Sequence, residues 1–82
     1  MNEMGSFISL RSLVMTKYVV FVNEFNHNSN ESVSYEVELD SLIDVVHYTK
    51  PLYDMQHVNA RVEKWTKHEG EDSFISEVIM RF

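Results

Sequence analysis

Polar and apolar positions change their rhythm along this chain, and each change marks an element. From Lys17 to Phe25, Tyr18, Val20 and Val22 fall on one side of an extended backbone and Val19, Phe21 and Phe25 on the other. Enrichment in β-branched and aromatic residues on both sides predicts a central strand. The polar cluster Asn26-His27-Asn28-Ser29-Asn30 then reads as a turn. Beyond it Val33, Tyr35, Val37 and Leu39 alternate with Ser34, Glu36 and Glu38, the pattern of a strand with one buried and one wet face. A hairpin is the simplest connection between the two.

At Asp40 the period lengthens. Leu42, Ile43, Val45, Val46 and Thr49 follow helical spacing, with Asp40 or Ser41 available as N-cap and Pro51 as the predicted stop. This predicts a helix of about ten residues packed on the hairpin. Residues 55–69 fit two patterns. Met55, Val58, Val62 and Trp65 suit a helix, whereas Val58, Ala60 and Val62 suit a strand. The strand is favoured because His68-Glu69-Gly70-Glu71-Asp72 reads as a turn and Ser73 to Phe82 as a strand with Phe74, Val78, Met80 and Phe82 on one face. The expected fold class is therefore α+β: a small ββαββ antiparallel sheet with one helix packed on a face.

Length limits what can be added. Eighty-two residues make one small domain, assigned to residues 15–82. Residues 1–14 are read as an N-terminal extension of uncertain structure, because Met15-Thr16-Lys17 looks like a chain start. If both faces of the first strand are apolar, residues 1–14 or another chain must cover the face without a helix. A homodimer is the expected solution.

Composition removes whole classes of chemistry. With no cysteine there is no disulfide, thiolate nucleophile or cysteine metal site. The only glycines, Gly5 and Gly70, sit in no phosphate-binding pattern, and no serine carries a nucleophile-elbow motif. His27, His47, His57 and His68 show no metal-ligand spacing, and His57 and His68 at opposite ends of one strand would stand some 30 Å apart at about 3.3 Å per residue. Glu36 and Glu38 share one face about 6.6 Å apart, but alternating glutamates are also what a solvent-facing strand requires. The expectation is a protein without catalytic activity, cofactor or metal. No membrane span or signal peptide is legible, which points to the cytoplasm.

Charge is the feature that stands above this background. Thirteen acidic against seven basic residues give a net charge of -6, which disfavours direct nucleic-acid binding. No base occurs between Lys17 and Lys50, while Glu24, Glu31, Glu36, Glu38, Asp40 and Asp44 accumulate there. These six predict an acidic face that contacts a protein with a basic surface. A second candidate contact is the aromatic and basic set Tyr53, Arg61, Lys64 and Trp65. In its low glycine, proline and cysteine content the chain resembles small accessory proteins of phages and mobile elements. The expected function is an inhibitor or accessory module that engages a cationic surface of a nucleic-acid-handling or defence protein, with clustered carboxylates standing where phosphates would. The alternative is a self-associating structural or adaptor protein.

Overall fold

The computed structural model describes residues 14–82. The segment 1–13, most of the expected extension, lies outside the described residues. Strand β1 (Val14–Asn26) is followed by β2 (Glu31–Leu39), helix α1 (Leu42–Tyr53), β3 (Val58–His68) and β4 (Ile75–Arg81). The strands form one antiparallel sheet in the order β2-β1-β3-β4. The α+β class and the ββαββ order match the expectation. Residues 58–68 are strand, as favoured.

Each connection has a local cause. In the first turn Asn26 Oδ1 accepts from the Asn28 and Ser29 amides, and Asn30 takes a left-handed φ of 61° that asparagine tolerates. Ser41 caps the helix, its hydroxyl accepting from the Asp44 amide at 3.2 Å. Gly70, at φ 90°, supplies the turn between β3 and β4.

Strand alternation sorts side chains onto two faces. Val20 and Val22 of β1 and Ala60 and Val62 of β3 meet Val45 and Leu52 of the helix in the core. Thr49 is also buried there, and its hydroxyl donates to the Val45 carbonyl at 2.8 Å. Tyr18, Leu39, Met80 and Phe82 pack around this cluster. The opposite face carries no element among the described residues.

Four details depart from the sequence expectation. β1 starts at Val14 rather than Lys17, so Met15-Thr16-Lys17 lies inside the strand. The helix does not stop at Pro51 but runs to Tyr53. Proline's fixed φ suits a helix, and the missing N–H costs only one bond near the end. The Asp54 amide then donates to the Pro51 carbonyl, and that of Met55 to Leu52.

The expected apolar stripe of the helix is too broad. Only Val45, Thr49 and Leu52 are buried, while Leu42, Ile43 and Val46 are exposed, Ile43 by 67%. At about 100° per residue Ile43 stands roughly 160° around from Val45, so a helix touching the sheet along one line cannot bury both. Finally, Phe74, Val78, Met80 and Phe82 do not share a face. A bulge opposite Val62 and Glu63 pairs Val62 with Met80 but Glu63 with Val78, and so sends Val78 to the open face.

Candidate functional site

On the open face, β1 contributes Lys17, Val19, Phe21 and Asn23, and β3 contributes Asn59, Arg61, Glu63 and Trp65 opposite them. Glu36 and Glu38 of β2 pair with Phe21 and Val19. Val19 is only 2% exposed although no helix among the described residues lies above it. Its register partners are Glu38 and Glu63, and Lys17 and Phe21 flank it along the strand. Among the described residues these are its neighbours on the open face, and long stems such as theirs shield apolar surface from water.

Glu63 organises the β3 part of this surface. Its carboxylate accepts from Arg61 Nε at 2.6 Å and from Trp65 Nε1 at 2.9 Å, and it is itself mostly buried. Residues i−2 and i+2 on a strand share its face, so one acid holds both neighbours. The Arg61 guanidinium lies 4.3 Å from the Phe21 ring centre, while Lys17 stands over Trp65 and Phe74 and pairs with Glu38 at 3.3 Å. Lys67 also reaches Phe74.

An open trough of about 660 Å³ lies at the other end of this face. Its walls come from two rows across the sheet, Glu36, Phe21, Arg61 and Arg81 in one and Ser34, Asn23 and Asn59 in the next. Asn23 donates to the Ser34 hydroxyl at 2.8 Å across the strands.

The six acidic residues expected to form one face are divided. Glu36 and Glu38 are on the open face, whereas Glu24 and Glu31 pair with Val33 and Asn26 on the helix side. Asp40 lies between β2 and the helix, and Asp44 in the first helical turn. What these residues share is an edge: β2 is the outer strand, and the five other than Glu24 lie on it or on the chain just after it. Glu24 pairs across to Val33 of the same strand, and its carboxylate accepts from the Tyr35 hydroxyl at 2.6 Å. That bond, with partial burial and the neighbouring Tyr48, holds the Tyr35 phenol above its ordinary range.

The aromatic and basic set is also split. Arg61 and Trp65 meet at Glu63. Lys64, paired with Tyr18, faces the helix side. Tyr53 packs on Phe82 at 4.3 Å and donates to Met80 Sδ, far from Trp65 in the fold. The basic residues missed as a group are Lys17, Arg61, Lys67 and Arg81, which the pairing gathers on the open face. They come from three strands, so no linear spacing announces them.

Sequence spacing also missed one histidine contact. His27 in the first turn and His57 before β3 bring their rings to 3.9 Å, edge to face, with Phe25 beside His27. His57 has a left-handed φ of 65°, and its carbonyl accepts from the Phe25 amide. His57 therefore precedes β3 rather than opening it. Among the described residues no three metal-ligating side chains gather at one point, and no helix is long and apolar enough to cross a membrane. No family model, curated protein or solved structure matches the chain.

Proposed function

We propose that this protein is an acidic protein-binding module, an inhibitor or accessory protein that docks the β2 edge against a cationic surface of a nucleic-acid-handling or defence protein. The observation that carries the reading is the composition of that edge. β2 is almost wholly exposed and bears Glu31, Glu36 and Glu38, and Asp40 and Asp44 continue the acidic run. No base lies in this stretch. An outer strand also offers backbone N–H and C=O groups for pairing with another chain. Carboxylates along such a rail steer a cationic partner and then hold it in register.

The test is a comparison of wild type with the triple reversal Glu36→Lys, Glu38→Lys and Asp44→Lys. A stoichiometric partner should be captured from host lysate by wild type, lost in the variant, and released near 1 M salt, where screening acts over about 3 Å. Circular dichroism should show the variant folded. Capture that survives the reversal defeats the reading.

Self-association is favoured by a separate observation. Leu42, Ile43 and Val46 of the helix and Ile75, Val78 and Ile79 of β4 are exposed apolar side chains. A dimer stable at high salt and broken by Ile43→Glu would point to this alternative.

A further inference from the structure

The two guanidinium groups at the trough occupy an unusual position. Ala60 and Phe82 exchange both backbone hydrogen bonds, at 2.8 and 3.0 Å. The next pair, Arg61 and Arg81, is therefore a non-hydrogen-bonded pair, the type in which Cα atoms approach to about 4.5 Å and side chains stand closest. Like charges directly opposite each other on a sheet are destabilising. Arg61 is nevertheless held in place by Glu63 through Nε and by the face of Phe21. Its terminal nitrogens make no hydrogen bond to the described residues, and neither does the Arg81 guanidinium. Beside them lies the trough, with side-chain amides of Asn23 and Asn59 along its second row.

A locked guanidinium directly beside a second one, both bordering about 660 Å³ of open space, is a fork for an oxyanion. We propose that the trough binds a carboxylate or phosphate monoester carried on a flat ring, with its oxygens between Arg61 and Arg81 and its ring against the Arg61–Phe21 stack. The anion would relieve the cross-strand repulsion that the empty pair carries. Because Arg61 is already ordered, little side-chain freedom is lost on binding. Glu36, at the far end of the same row, opposes an anion and sets the orientation: the negative end points to β4 and the ring toward β1. The acidic outer edge of β2 has no part in holding this ligand.

The experiment is an amide-resolved NMR titration of the full chain with benzoate, phenyl phosphate and inorganic phosphate. Saturable shifts at Phe21, Asn59, Arg61 and Arg81 are expected with at least one ring compound, which should bind more tightly than inorganic phosphate. The tighter of benzoate and phenyl phosphate identifies the oxyanion. Arg81→Gln should weaken that binding about tenfold, the effect of losing one charge-assisted contact. Glu36→Gln should strengthen it about twofold by removing an opposing charge. Both positions are on the surface, so neither variant threatens the fold. Three results would overturn the site: shifts gathering elsewhere, affinity unchanged in Arg81→Gln, or no saturation by about 10 mM.

Discussion

Val19 and Val20 are neighbours on β1 and are equally dry, yet they are kept dry by different means. Val20 meets Val62 and the helix residue Val45 in a core closed by an element of the fold. Among the described residues Val19 has no element above it, and its neighbours on that face are side chains of its own sheet, Glu38, Glu63, Lys17 and Phe21. Burial measured by exposure is the same on the two faces, but what a substitution would disturb differs. On the helix side a lost methyl group leaves a hole among fixed neighbours. On the open side flexible stems can settle into it.

The sharpest way to break this comparison is to truncate both valines. Val20→Ala should cost about 2 to 3 kcal/mol, from the lost transfer energy and an unfilled cavity. Val19→Ala should cost about 1 kcal/mol, because the cavity term collapses. Urea unfolding of the two variants measures both, with a similar dependence on denaturant concentration expected. Equal losses would mean that the open face is packed as rigidly as the core, and the picture of a side-chain lid would fall.

The lid itself can be tested at Glu63 and Glu38. Glu63 is 14% exposed and holds both Arg61 and Trp65, whereas Glu38 is 63% exposed and pairs with Lys17. Glu63→Gln keeps the shape but turns one of the two accepting oxygens into a donor and removes the charge, and should cost about 1 kcal/mol or somewhat more with a shift in Trp65 fluorescence. Glu38→Gln should cost less than about 0.5 kcal/mol, since exposed ion pairs contribute little. The reverse order would locate the organising contact at Lys17 instead.

The same contrast explains what was legible in the sequence. Strict alternation in β2 and the apolar run in β1 specify strands through local periodicity, and both were readable. So was the demand for cover on the second face of β1, an inference from Val19, Phe21 and Phe25. What the pattern could not supply was the neighbours of Val19 on that face, because Glu63 and Glu38 stand beside it only through strand pairing. The bulge that reverses Val78 was hidden for a similar reason: it is a mismatch between two strands, and neither shows it alone. The acidic edge was visible as a run without bases, whereas the basic group had to be assembled from β1, β3 and β4. His27 and His57, thirty positions apart, meet only because two loops share one end of the sheet.

A further small effect lies on the helix side, at the exposed β2 edge. Tyr35 donates its phenol proton to Glu24 at 2.6 Å, and this bond together with partial burial raises the group above its ordinary value of about 10. In the unfolded chain the phenol ionises near pH 10, while in the folded chain it keeps its proton. The unfolded state thus binds fewer protons above that point, so stability must fall as pH rises. The contribution is complete below about pH 9 and declines from about pH 10 upward. Tyr35→Phe removes it. The stability difference between wild type and Tyr35→Phe should be constant from pH 7 to about 9, at no more than about 1 kcal/mol because the pair is exposed, and should shrink between about pH 10 and 12. Parallel profiles across the alkaline range would show that the Tyr35–Glu24 bond is not maintained in solution, and that the β2 edge is held by its backbone pairing with β1 and by contacts such as Asn23–Ser34.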